Sequence, residues 1–142
     1  MEILNRKAHF NYFIIEEYEC GIELFGTEIK SIRKGSADLK DSYGRIKDNE
    51  IYLVNTYIAK YTEGNRFNHE ERRSRKLLLH KSEILKIKKS VEINKYTLIP
   101  LKMYIVRGKA KILLGVCKGK KLFDKRRTEK ERDLKREERE NY

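Results

Sequence analysis

The sequence predicts a mainly β fold: a small, closed antiparallel barrel with two or three short helices, followed by a tail that does not fold by itself. Three observations predict it. Up to Cys117, apolar and polar residues alternate in short runs bounded by Gly, Asn or Asp. No strand–helix–strand alternation of the parallel-sheet kind is visible. Beyond Phe123 the sizeable apolar groups are reduced to Leu134 and Tyr142. Residues 1–123 therefore read as one barrel domain and 124–142 as a basic tail. Closure protects strand edges in so small a sheet, which favours a barrel of the OB type, and a chain of this length can enclose such a core.

The elements follow in order. Phe10, Tyr12 and Ile14 alternate with Phe13 and Ile15 in a first strand rich in aromatic and β-branched residues. Gly21 interrupts it, marking a bulge or a close backbone approach, and Ile22-Glu23-Leu24 resumes it. A short helix comes next, with Thr27 as N-cap, Glu28 in the first turn, Ile29 and Ile32 on one face and Gly35 at its end. Its cations, Lys30, Arg33 and Lys34, read equally well as a solvated face. Ser42–Lys47 and Glu50–Ala59 form a hairpin about Asp48-Asn49. Residues 62–74 are a polar loop without a core pattern. Arg75–His80 is a strand with Leu77 and Leu79 on one side and Leu78 on the other. Ser82 caps a short helix that turns Ile84, Leu85 and Ile87 inward. Tyr96–Val106 and Lys109–Cys117 are strands joined by a tight turn at Arg107-Gly108, with Pro100 at an edge or bulge.

Charge points to the partner. The chain has 142 residues and a formal net charge of +12. Residues 118–142 hold 11 basic and 7 acidic residues, so +8 belongs to residues 1–117. A domain that is basic in its own right suggests nucleic acid. Membrane binding is disfavoured: no apolar run approaches ~18 residues, no stretch carries an amphipathic aromatic face, and the start lacks a signal-peptide pattern. Cys20 and Cys117 lie in apolar contexts and read as reduced thiols of a cytoplasmic protein. His9, His69 and His80 lack ligand spacing, so neither metal nor cofactor is expected. An enzyme is disfavoured too. There is no nucleophile–base pair and no phosphate loop, and His69, with Glu70 and Glu71, sits in a polar loop with no apolar shield.

The junction between barrel and tail is residues 118–127, KGKKLFDKRR, with six basic residues and one acidic. The tail beyond it has too little apolar surface to order itself, yet it is rich in helix formers. It is expected to be disordered alone and helical against a polyanion.

Three blocks, YECGIELFGTEIKSIRKGSADLKDSY, RSRKLLLHKSEI and YTLIPLKMYIVRGKAKILLGVCKGKKLFDKR, together resemble the SsrA-binding protein (small protein B) family, in order from Asn5 to Arg127. The resemblance implies an OB-like barrel, acting as a monomer, that binds the tRNA-like domain of transfer-messenger RNA. It implies trans-translation: the RNA enters a stalled ribosome, the nascent chain is tagged and the ribosome is released. It places Asn5, Arg6, Tyr12, Glu19, Leu78 and Lys111 at the tRNA-like elbow. Lys111 and Arg6 suit phosphates, Tyr12 suits stacking on an unpaired base, and Glu19 suits donors on bases or 2′-OH groups. It places Lys118, Gly119, Lys120, Lys121, Phe123, Asp124, Lys125 and Arg126 at small-subunit ribosomal RNA, in the decoding centre and the vacant mRNA channel. Phe123 stands where the family often has Tyr or His, which keeps stacking and loses a side-chain hydrogen bond. Glu71 replaces a usual Pro and Lys95 a usual Gly. The rival is a generic single-strand RNA-binding barrel. That class needs a dense aromatic platform, whereas this chain has no Trp and scattered aromatics.

Overall fold

The computed structural model describes the backbone of residues 1–140 and, apart from 64–66 and 137–140, their side chains; Tyr142 lies outside the described residues. Its strands are β1 (Glu2–Leu4), β2 (Tyr12–Ile22), β3 (Ala37–Asp38), β4 (Tyr43–Lys47), β5 (Glu50–Val54), β6 (Tyr57–Ile58), β7 (Arg75–Leu78), β8 (Thr97–Val106) and β9 (Lys109–Gly119). The helices are α1 (Ala8–Asn11), α2 (Gly26–Arg33), α3 (Lys81–Asn94) and α4 (Leu122–Glu140). Antiparallel pairing runs β4–β5–β7–β2–β9–β8 and returns from β8 to β4, which closes the ring. The return rests on the pair Gly44↔Leu98, and a Cβ on Gly44 would stand 2.8 Å from that of Leu98. Glycine is what lets the two strands approach at the seam. β1 extends the free edge of β8, and β3–β6 is a separate two-stranded ribbon.

Both tight turns form as expected. Asp48-Asn49 and Arg107-Gly108 have positive φ at both central positions, the type I′ geometry that matches strand twist. Pro100 sits at a bulge, where the β8–β9 register shifts between Pro100 and Lys102. Gly21 marks the close approach rather than a bulge: its Cβ would lie 3.1 Å from the Leu78 Cβ, and the bulge in β2 falls between Ile14 and Glu16.

Several boundaries differ from expectation. Phe10 belongs to α1, so the long strand begins at Tyr12. The strand expected to run to Ala59 breaks at Asn55, whose φ is +64°. Neither predicted N-cap serves as one. α2 begins at Gly26 with Phe25 in the cap position, and its amide donates to Glu28 Oε1 at 2.7 Å. In α3 the cap position is His80, whose amide donates to Glu83 Oε1 at 3.1 Å. In both, a glutamate in the first turn accepts the cap residue's own amide, the glutamate half of a capping box. α3 runs for 14 residues, and Leu85 lies on its solvent side.

The barrel interior is apolar, with Cys20, Ile51, Leu53, Leu77, Met103, Ile112 and Leu114 fully buried. Burial pushes the thiol of Cys20 up to about 12 and that of Cys117 up to about 11, so both stay protonated at neutral pH. A second apolar cluster lies outside the ring, where Ala8 of α1 covers Ile99, Leu101 and Cys117.

One end of the barrel is closed by charge. Glu28 and Arg75 are completely buried and paired, and Arg73 bonds the same carboxylate. Arg75 also donates to the carbonyls of Thr56 (2.8 Å) and Glu71 (3.1 Å). Burial alone would raise the Glu28 pKa. Hydrogen bonds from Arg73, the Phe25 amide and Arg75 outweigh it and hold the carboxyl below its usual range. The segment expected to be an unshielded polar loop is tied down by this network. It contains a 3₁₀ turn, Thr62–Phe67, and its His69 is buried. The Thr27 hydroxyl donates to His69 Nδ1 (2.9 Å), and Nε2 donates to the Ile58 carbonyl (2.9 Å).

Candidate RNA-binding face and tail junction

Register decides which side chains leave the barrel. In β2, Cys20 and Ile22 point inward, so Glu17, Glu19 and Gly21 point out. Their partners on β9 are Gly115, Leu113 and Lys111, and on β8 Tyr104 pairs with Lys111. Gly21 also pairs with Leu78 of β7, which lies over it and is 46% exposed. That exposure removes the core reading of Leu78, since its neighbour Leu77 fills the barrel instead. Glu19, Leu78 and Lys111 therefore share one patch across β7, β2 and β9. Among the described residues Lys111 has no ion-pair partner, so its ammonium is available to a phosphate. The Glu19 carboxylate accepts a 2.7 Å hydrogen bond from the Tyr104 hydroxyl.

The other end of the face is a groove of ≈ 540 Å³ lined in part by Asn5, Arg6, Lys7, Tyr12 and Lys40. Asn5 is fixed twice: its amide donates to the Leu101 carbonyl and its side chain to that of Pro100, both at 2.9 Å. These bonds anchor the turn that presents Arg6. Tyr12 is half-buried, with one side against the outer cluster. It is thus both a packing residue and part of the groove wall. The seven steps along the strand from Tyr12 to Glu19 span about 23 Å at ~3.3 Å each. The six residues expected at the elbow form two patches on one side of the barrel. Sequence reasoning missed Lys7 and Lys40 as wall cations. Lys40 comes from the segment after β3, and only the fold brings it beside the turn before α1.

The junction is more tightly built than its charge suggests. Lys118 is exposed opposite Phe13, and Gly119 pairs with Tyr12. A Cβ on Gly119 would meet nothing within 4 Å, so packing within the chain does not require glycine there. The Lys120 ammonium is engaged inside the chain. It donates to the His9 carbonyl (2.9 Å) and the Thr128 hydroxyl (2.8 Å), and it stands 4.9 Å from the Phe13 ring centroid. Asp124 Oδ2 accepts the Lys121 amide at 3.3 Å, capping the start of α4. Phe123 is 73% exposed, while Lys125 is half-buried and Arg126 exposed.

Comparison with known proteins gives these positions their context. The model of the SmpB protein family matches residues 2–142. The chain belongs to that family. SsrA-binding proteins of Staphylococcus aureus, strains Newman and JH1, are each 56% identical over 94% of this chain and 86% of their own length. A solved structure described as "tmRNA-SmpB: a journey to the center of the bacterial ribosome" is 49% identical. It covers 85% of each chain with a TM-score of 0.71.

Proposed function

We propose that this chain binds the tRNA-like domain of transfer-messenger RNA and delivers it to stalled ribosomes for trans-translation. The nascent chain is tagged and the ribosome is rescued. Family membership supports the overall activity. The observation that supports the division of labour is that Asn5, Arg6 and Tyr12 line one groove, Glu19, Leu78 and Lys111 share a patch across β2, β7 and β9, and α4 follows the end of β9. The chain works as a monomer in the cytoplasm, where its ribosomal partner is. It binds and positions RNA, and no chemical step is assigned to it.

Asn5, Arg6 and Tyr12 hold one part of the elbow, while Glu19, Leu78 and Lys111 hold another. The barrel is preformed, so binding does not have to order it. The tail helix α4 buries none of its described side chains in the free chain and is stabilised in the decoding centre and mRNA channel. Lys118, Lys121, Phe123, Lys125 and Arg126 meet small-subunit RNA there. Lys120 and Asp124 set the direction and the first turn of α4, and Gly119 leaves room for close approach.

The test is binding of the full chain and of residues 1–123 to a folded tRNA-like RNA and to an unstructured RNA of equal length, across a salt series. The expected result is a wide preference for the folded RNA, similar salt slopes for both chains, and loss of tagging with the truncated one. Equal affinity for the two RNAs would make the chain a generic single-strand binder. Loss of most of the slope on truncation would make the tail an electrostatic anchor.

A further inference from the structure

An acid on a face that meets phosphate calls for a physical reason. Glu19 is exposed, and one of its oxygens, Oε2, is held 2.7 Å from the Tyr104 hydroxyl. Tyr104 lies on β8 and Glu19 on β2, with β9 between them, so the phenol reaches across a whole strand. The phenol is itself fixed. Its backbone pairs with β1 on one side and β9 on the other, Glu2↔Tyr104 and Tyr104↔Lys111. The Lys102 ammonium stands 5.2 Å from its ring centroid and is in turn paired with Glu2 at 3.3 Å. Burial and the bond to Glu19 raise its pKa, so the hydroxyl keeps its proton and donates it to the carboxylate. The second oxygen of Glu19 has no partner among the described residues.

We propose that Tyr104 is a positioning residue that aims the Glu19 carboxylate at the Watson–Crick edge of an unpaired guanine in the bound RNA. The inference rests on the elbow-binding function proposed above and names what one part of that site reads. A carboxylate only accepts hydrogen bonds, and a phosphate offers it none. Guanine is the base whose Watson–Crick edge carries two adjacent donors, N1–H and the N2 amino group. They match the free oxygen of Glu19 and the remaining lone pair of the oxygen that Tyr104 holds. The guanine has to be unpaired, because pairing occupies that edge. Lys111, beside Tyr104 and Gly21 on the same surface, is placed to neutralise a flanking phosphate. Without the phenol a glutamate side chain would sample many rotamers, and its reading would blur. The tether removes that freedom before the RNA arrives.

The test uses the full chain and a panel of tRNA-like RNAs in which each loop guanine is replaced in turn by inosine, which lacks the N2 amino group. One replacement should weaken wild-type binding roughly tenfold. Tyr104→Phe keeps the ring and removes only the hydroxyl. It should melt at the wild-type temperature, bind the parent RNA more weakly and lose most of the inosine penalty at that one position. Glu19→Gln should do the same, and the double variant should be no worse than the worse single one, which is the signature of two groups acting as a unit. If Tyr104→Phe keeps the full inosine penalty while wild type prefers the folded RNA, the Tyr104 proposal is overturned and the elbow reading stands. If wild type itself shows no preference for the folded RNA, the parent reading fails and this one with it.

Discussion

β9 and α4 are separated by Lys120 and Lys121 alone, yet they obey different physics. Six of the eleven residues of β9 are buried, and the strand pairs along most of its length with β2 on one edge and β8 on the other. In α4 no described side chain from Leu122 to Arg136 is buried, and Leu134 is 51% exposed. Among the described residues its supports are few: the Asp124 cap, the Lys120–Thr128 bond, one exposed ion pair, Arg127–Glu131 at 3.7 Å, and contact with α1. Helices in proteins owe most of their stability to an apolar face packed on something else, and α4 has none. The barrel therefore holds the residues of the candidate face in place by its own packing. The tail has little within the chain to stabilise it.

The sharpest way to break the comparison is to damage what holds the barrel rigid. Glu28→Gln leaves Arg75 buried without a counter-charge and should cost about 3–5 kcal/mol, much of the ~5–15 kcal/mol of a typical domain. Urea unfolding of the variant would measure it. Acid should act the same way. The Glu28 pKa is lower in the folded chain than in the unfolded one, so its contribution is complete above the ordinary glutamate value and is lost as pH falls through the lowered folded one. A variant with Glu28 replaced should lack that part of the acid-induced loss, as thermal melts across pH would show.

Function on the face should fall without the fold. Lys111→Ala should weaken binding to the tRNA-like RNA by about 1–3 kcal/mol and lower the salt slope, with an unchanged melting temperature. Tyr12→Ala should weaken binding by about 1–3 kcal/mol as well. It should also lower the melting temperature, because Tyr12 packs on the outer cluster. An unchanged affinity for either variant would remove that residue from the site.

A smaller effect tests the end of α3. Lys95 closes that helix at φ +58°, where a side chain is strained. Lys95→Gly should stabilise the barrel by about 0.5–1 kcal/mol. The smallest change belongs to the tail. Leu134→Ala should move barrel stability by less than ~0.5 kcal/mol. A transition of the whole chain that did respond would mean that α4 packs in solution.

Much of this was legible from residues alone, and for local reasons. Asp48, Asn49 and Gly108 tolerate positive φ, so the hairpins could be read directly. Leu78 was read on the opposite side from Leu77, and Pro100 at an edge or a bulge, because side-chain period and missing amides are local properties. The helix caps were misread because Phe25 and His80 carry no cap signature of their own. Glu28 and Glu83 reach back to serve them.

By itself the sequence determined a basic, strand-rich domain followed by a tail with almost no apolar surface. Alternation, turn chemistry and charge act over a few residues and need no partner from elsewhere in the chain. Only the tertiary structure decided that His69 is buried, that Glu28 and Arg75 close one end of the barrel, and that Tyr104 holds Glu19 from two strands away. Each of these depends on groups 42, 47 and 85 positions apart being brought within hydrogen-bond reach. That proximity is set by how the ring of strands closes, which no local pattern encodes.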